Sequence, residues 1–111
     1  MKSIDDLRAR IDELDEQLVR LLNERAACAL AIGEIKQQLG IEVYQPAREA
    51  EVLRHVQACT TAMGGPLSPG ALARLFERII DEARRLERQS AGHPDQREAD
   101  ILGGQAARKR Y

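Results

Sequence analysis

Apolar residues recur along the first 39 positions in steps that alternate between three and four. This spacing is typical of the buried stripe of a long helix and continues without a slip, as in a coiled-coil seam. Ser3 and Asp6 form a capping-box pattern before the stripe, and Gly40 is a natural stop. The pattern predicts one helix of about 36 residues, about 54 Å long. Its stripe positions are Ile4, Leu7, Ile11, Leu14, Leu18, Leu21, position 25, Cys28, Ile32, Ile35 and Leu39.

Two shorter helices are predicted after the first. Pro46 suits the first position of the second helix, and Ser68 is the predicted N-cap of the third, with Pro69 at its start. The second helix shares one face among Glu49, Val52, Leu53 and Val56, and the third among Leu72, Leu75, Phe76, Ile79, Ile80, Ala83, Leu86 and Glu87. No stretch alternates as a strand does. The predicted fold class is therefore all-α, with three helices per chain.

The domain organisation follows from where this periodicity ends. Residues 1–90 carry the three helical patterns, whereas residues 91–111 are Gly-rich and polar and close with a basic run. We predict one helical domain over 1–90 and a flexible C-terminal tail over 91–111, with a short helical piece near 98–102. A chain of 111 residues has too little else to cover so long a first helix. We therefore expect that helix to pair with its twin in a second copy.

Composition narrows the class of protein. Charged residues make up 32% of the chain and the formal net charge is -1, whereas a nucleic-acid-binding domain would normally be strongly basic. Cys28 and Cys59 lack the spacing of metal ligands, and we interpret them as small core or surface residues and not as a disulfide. Unpaired cysteines favour a reducing compartment. The N-terminal segment has no apolar signal region, and no run reaches the ~18 apolar residues of a membrane span. We expect a cytoplasmic protein without a nucleic-acid or membrane partner.

Charged residues occupy positions on the faces that the helices should bury. Arg25 falls on the stripe of the first helix with Lys36 beside it, Arg48 and Glu49 open the second helix, and Glu87 extends the core face of the third. Taken singly, a long cationic side chain often lies along apolar surface, or a polar residue sets the register of a seam. Together they predict a pocket between helices for an anionic, hydroxylated ligand. Arginine suits such a ligand because its planar guanidinium can bind one carboxylate through two parallel hydrogen bonds.

The spacing also predicts that two chains share this pocket. Arg25 and Lys36 lie about 16 Å apart along the helix and about 20° apart around it, so both can reach one small ligand. Arg8 is about 25 Å before Arg25 and cannot reach that ligand within one chain. If an antiparallel twin crosses near Val19, Arg8 of the partner subunit arrives beside residue 30.

Three segments carry a resemblance to a known family: "LRARIDELDEQLVRLLNERAACALAIGEIK", "YQPAREAEVL" and "LFERIIDEARRLE". Over residues 3–90 the chain resembles the all-helical chorismate mutases. The resemblance implies an intertwined homodimer that forms a six-helix bundle. It also implies an isomerase that converts chorismate to prephenate on the way to phenylalanine and tyrosine. The rearrangement is unimolecular and needs no metal or cofactor.

The resemblance also implies residue roles. Arg25 and Arg8 of the partner subunit would bind substrate carboxylates, with support from Arg48. Lys36 and Glu87 would contact the ether oxygen of the breaking bond. Glu49 would accept a hydrogen bond from the ring hydroxyl. The implied catalytic residues are Arg25, Lys36 and Glu87. The implied substrate-binding residues are Arg8, Arg25, Lys36, Gln45, Arg48, Glu49, Ala83 and Glu87.

Two positions depart from the family pattern, and one glycine is unusual inside a helix. Gln45 stands where many family members have Asp, although that contact is largely through the backbone. Ala83 stands where some have Ser or Thr touching a carboxylate. Gly33 inside the first helix either leaves room for substrate or allows close helix packing, and the sequence does not separate these readings.

Three other functions compete with the mutase. An isochorismate-pyruvate lyase would keep the arginines and the lysine, and only a product assay separates it firmly. A non-catalytic regulatory dimer of an aromatic-pathway enzyme should have lost Arg25, Lys36 or Glu87, and this chain has all three. A plain coiled-coil module would not place Arg25 and Glu87 on apolar faces, where they weaken packing.

Overall fold

The computed structural model of the chain describes residues 1–90, which form three helices. These are α1 (Ile4–Leu39), α2 (Pro46–Met63) and α3 (Pro69–Ser90), and no strand occurs in this part of the chain. The all-α prediction with three helices is confirmed. The predicted tail at 91–111, with its short helical piece, lies outside the described residues.

Both ends of α1 have the caps that the sequence predicts. The Ser3 hydroxyl accepts the Asp6 N–H at 3.0 Å, and the Asp6 carboxylate accepts the Ser3 N–H at 3.2 Å. At the other end, Gly40 adopts φ 70°, a left-handed conformation that glycine adopts without a steric penalty. The Ile41 N–H then bonds to the Lys36 carbonyl at 2.9 Å. The predicted length of 36 residues is confirmed.

Local signals also set the ends of the shorter helices. Pro46 lies at the start of α2, and Gly64 ends it with φ 70°. The Ser68 hydroxyl accepts the Ala71 N–H at 3.1 Å, as expected for the N-cap of α3. The buried Thr60 donates its hydroxyl to the Leu67 carbonyl at 2.9 Å, which holds the connecting loop against α2.

Helix α3 is the central element of the single chain. It packs on both α1 and α2, which do not pack on each other. The apolar core of the described residues is small: its buried side chains are Ala29 and Ile80, each 8% exposed. Residues 1–24 are all exposed, so α3 covers only the second half of α1. No helix in residues 1–90 is long and apolar enough to cross a membrane.

Candidate active site

A cavity of about 520 Å³ opens where the second half of α1, the α1–α2 linker and the facing sides of α2 and α3 come together. Every predicted site residue except Arg8 lines it: Arg25, Lys36, Gln45, Arg48, Glu49, Ala83 and Glu87. Apolar side chains from all three helices complete the wall, including Ile32, Val52 and Ile80. Arg8 lies in the exposed first half of α1. The three helices therefore gather in one place residues that lie far apart in the sequence.

Lys36 and Glu87 face each other across the crossing of α1 and α3. The Lys36 Nζ lies 2.9 Å from the Glu87 Oε2, with the two side chains only 16% and 12% exposed. The Nζ also donates a hydrogen bond to the Val43 carbonyl at 3.0 Å. The contact between Nζ and Oε2 is an ion pair without the angles of a hydrogen bond, so the buried Oε2 has no aligned donor. The ammonium thus offsets the charge of Glu87, although this buried oxygen accepts no hydrogen bond from the described residues.

Gly33 lies directly beneath this ion pair. A Cβ atom built on Gly33 would lie 3.0 Å from the Glu87 Cα and 3.3 Å from its Cβ, closer than ordinary packing allows. The glycine is buried and lets the α3 backbone approach α1 closely. Close helix packing therefore accounts for Gly33, and this packing brings the carboxylate of Glu87 to the ammonium of Lys36.

Glu49 is held by Arg84 in a two-pronged ion pair between α2 and α3. The Arg84 Nε donates to the Glu49 Oε2 at 3.1 Å, and the Arg84 Nη2 donates to the Glu49 Oε1 at 3.0 Å. The hydrogen bond to Glu49 raises the pKa of Arg84 above its ordinary value, although burial acts in the opposite direction. Arginine is charged at every working pH, so this shift does not change the protonation state of Arg84 in that range.

Two further cations at the cavity have no carboxylate partner of this quality. Arg25 makes no ion pair within residues 1–90, and its guanidinium carbon lies 6.0 Å from the centroid of the Phe76 ring. Arg48 pairs with Glu51 at 3.2 Å, but both side chains are well exposed and such pairs are weak. Four cations and two carboxylates line the cavity, so its walls carry a net charge of about +2. This excess of positive charge suits a ligand with two carboxylates.

Comparison with known proteins agrees with this geometry. The sequence matches the family described as chorismate mutase type II over residues 7–88. The chain belongs to the type II chorismate mutase family. The matched range contains all eight predicted site residues of this family member, from Arg8 to Glu87.

The curated relatives of this chorismate mutase family member differ in how much of their own length the match covers. It is similar to a bifunctional chorismate mutase/prephenate dehydratase of Neisseria gonorrhoeae, with 43% identity over 78% of this chain and 24% of the relative. A 4-amino-4-deoxychorismate mutase of Streptomyces pristinaespiralis is 37% identical over 76% of this chain and 64% of its own length. A chorismate mutase of Methanocaldococcus jannaschii is 27% identical over 80% of this chain and 88% of its own length. The chain spans about a quarter of the length of the bifunctional relatives it matches.

Arg84 lines the cavity of this chorismate mutase family member but is absent from the site residues predicted from the sequence. It stands in the run "DEARRLE", where several charged residues in succession resemble a solvated helix face. A signal was nevertheless present, because Arg84 is four residues after Ile80 and three before Glu87. Both spacings place it on the cavity side of α3.

The two positions that depart from the family pattern both lie at the cavity. Gln45 turns its side-chain amide toward the linker, where it donates to the Glu42 carbonyl at 3.0 Å. Ala83 contributes a methyl group to the wall and offers no hydrogen bond. Neither residue therefore adds a polar side chain to a ligand in this arrangement.

Proposed function

We propose that this chain is a chorismate mutase that rearranges chorismate to prephenate. The observation that carries the proposal is the cavity itself, which joins Arg25, Lys36, Arg48, Glu49 and Glu87 within about 520 Å³ and has an excess of positive charge. Chorismate has two carboxylates, an ether oxygen and a ring hydroxyl. The arginines of the cavity suit the two carboxylates, and the Lys36 ammonium suits the ether oxygen. The Glu49 carboxylate suits the ring hydroxyl.

The reaction requires the protein to perform two tasks. The extended substrate must be held in the folded conformer that reacts, which Arg25, Arg48 and Arg8 of the partner subunit would do through the two carboxylates. Negative charge that develops on the ether oxygen must also be stabilised as the C–O bond breaks. Lys36 would do so from one side of the oxygen, and Glu87 would lie on the other side. Glu49 would accept a hydrogen bond from the ring hydroxyl.

The role of Glu87 depends on its protonation state. A carboxylate only accepts hydrogen bonds, whereas a carboxylic acid can donate one to the ether oxygen. In the structure the buried Oε2 lacks an aligned donor and lies against the Lys36 ammonium. We propose that the protonated form is the productive one, because it adds a donor and leaves the full charge of Lys36 to the ether oxygen.

We also propose that the active unit is an intertwined homodimer with six helices and two equal cavities. The support is the apolar stripe of α1, whose residues Leu7, Ile11, Leu14 and Leu18 are all exposed in the single chain. Large contiguous apolar patches on a protein surface mark interaction sites. The twin helix would cover this stripe and bring Arg8 of the partner subunit to the cavity.

The cytoplasm is the compartment that we propose for this enzyme. Cys28 and Cys59 are both free within the described residues. Free thiols are usual in a reducing compartment. The substrate and product are small molecules, so no nucleic-acid or membrane partner enters the proposal.

A product assay with purified protein tests the proposed activity. Chorismate and isochorismate are supplied separately, loss of each is followed by absorbance, and the products are identified by chromatography. Prephenate from chorismate is the expected result. Salicylate and pyruvate from isochorismate would instead identify a lyase. Consumption of neither substrate by the folded protein would exclude catalysis and favour a regulatory dimer.

A further inference from the structure

Arg84 lies at the cavity but has no role in the proposed rearrangement. Its side chain is held from three directions and is 23% exposed. The guanidinium bonds to both carboxylate oxygens of Glu49, lies 5.3 Å from the centroid of the Tyr44 ring, and approaches Asp81 at 3.5 Å. Contacts with three different segments fix the plane of the guanidinium. An arginine held in this way can position the carboxylate that it binds.

The pairing determines what Glu49 can offer to a ligand. An ionised carboxylate has about four lone-pair sites, and Arg84 occupies one on each oxygen. Arg84 therefore fixes the orientation of the Glu49 carboxylate and leaves lone pairs for one further donor. The ion pair as a whole is neutral. A neutral donor such as a hydroxyl meets a fixed acceptor there without having to neutralise an exposed charge.

A cationic donor would meet different electrostatics at the same carboxylate. An ammonium that approached Glu49 would lie close to the Arg84 guanidinium, and like charges in a partly buried site repel each other strongly. Its own hydration would also be lost without an unpaired anion to replace it. The neutral ion pair thus discriminates against a ring amine, which is largely protonated at neutral pH, and in favour of a ring hydroxyl.

We propose that Arg84 is a positioning residue that sets substrate class: it holds Glu49 as a neutralised, oriented acceptor, so the site takes a ring hydroxyl in preference to a ring amine. The inference rests on the proposed function, in which Glu49 faces the ring hydroxyl of chorismate. It goes beyond that function because it names which of two related substrates the site accepts. The probe pair is chorismate and 4-amino-4-deoxychorismate, which carries an amine in place of the hydroxyl.

The test compares kcat and KM of the full chain for both substrates in wild type, Arg84→Met and Arg84→Lys. Arg84→Met should lower kcat/KM for chorismate by about ten- to hundredfold, the range for losing a charge-assisted hydrogen bond. It should lower the value for the amine much less, so that the ratio shifts toward the amine by about tenfold or more. Arg84→Lys keeps the charge but loses the fork. It should therefore keep the preference for the hydroxyl while its kcat falls.

Arg74→Met is the matched control, because Arg74 is an exposed cation of the same helix that does not line this cavity. It should change neither substrate's kcat/KM. Equal losses for both substrates in Arg84→Met would show a merely structural role and overturn the inference, as would an unchanged ratio. If circular dichroism shows that Arg84→Met does not fold, Arg84→Gln replaces it with the same expected shift. Absence of turnover by wild type would overturn the proposed function first, and the inference with it.

Discussion

The two halves of α1 depart from the usual rule that apolar side chains are buried and charged side chains are exposed. In the first half, apolar side chains such as Leu18 (54% exposed) face solvent in the single chain. In the second half, the charged side chain of Lys36 is only 16% exposed and lies under α3. One continuous helix therefore exposes leucines at one end and buries an ammonium at the other.

The difference shows that α3 and the cavity determine burial on α1, and the apolar pattern alone does not. The second half packs on α3 through Gly33 and carries charged side chains that line the cavity. The first half has no partner within residues 1–90, and a second copy of the chain is the partner we propose for it. The following predictions test both halves of α1 and the α3 residues that the second half meets.

The largest effect is expected in the packed half. Lys36→Ala should lower kcat by about 10²–10³, the usual loss when a preorganised donor at a developing oxyanion is removed. The variant also leaves the buried Glu87 without its cation, so stability should fall too. The double variant Lys36→Ala with Glu87→Gln should recover stability but not kcat. A wild-type kcat in folded Lys36→Ala would contradict the proposed role.

A comparable effect should arise from the exposed half, if a second chain completes the cavity. Arg8→Ala should lower activity by about a hundredfold, because positioning of the substrate is lost. Its thermal stability should stay near wild type, since Arg8 is exposed. Arg10→Ala is the matched control: that exposed residue pairs only with Glu13 within residues 1–90, and its loss should leave activity unchanged.

Mixing the inactive variants tests the shared cavity directly. In a heterodimer of Arg8→Ala and Arg25→Ala chains, one of the two cavities regains both arginines. After random subunit exchange, about a quarter of all cavities should be intact, and activity should recover in that proportion. No recovery after verified exchange would mean that Arg8 acts within its own chain or not at all.

A smaller effect is expected at Glu87. If the protonated acid is the productive form, wild-type activity should be higher in buffers of lower pH in which the protein stays folded. Glu87→Gln supplies a permanent N–H donor of nearly the same shape. Its pH profile should be flat, and its activity at pH 8 should at least equal that of wild type. A flat wild-type profile would assign Glu87 to the ion pair with Lys36 alone.

The smallest predicted effect concerns the crossing of α1 and α3. Gly33→Ala should lower the free energy of unfolding by about 1–2 kcal/mol, because overpacking against the Glu87 backbone outweighs the ~1 kcal/mol gain in helix propensity. Gly70→Ala is the control, since a Cβ there meets only Arg74 at 3.7 Å and Ser68 at 3.9 Å. It should leave stability unchanged or raise it in urea unfolding. Equal shifts in both variants would show that the close approach at Gly33 is not limiting.

Most of the secondary structure was predictable because its signals are local. The Ser3 capping box, Pro46 and Gly40 set helix ends through bonds that span only a few residues. The positions of Arg25, Lys36, Glu49 and Glu87 on nominally apolar faces also predicted a polar cavity. These inferences depend on helix periodicity, which a sequence displays directly.

Tertiary structure decided which charges meet, because that depends on where helix faces cross. Lys36 pairs with Glu87 since Gly33 lets two backbones approach, and the sequence left the purpose of that glycine open. Arg84 reaches Glu49 across 35 residues of chain, and its spacing from Ile80 and Glu87 places it on the cavity side of α3 without indicating which carboxylate it meets. The sequence by itself thus determined the helices, their caps and the charged residues available for a site. Packing alone decided how those charges pair, because an ion pair needs a distance of a few ångströms that only the crossing of helices supplies.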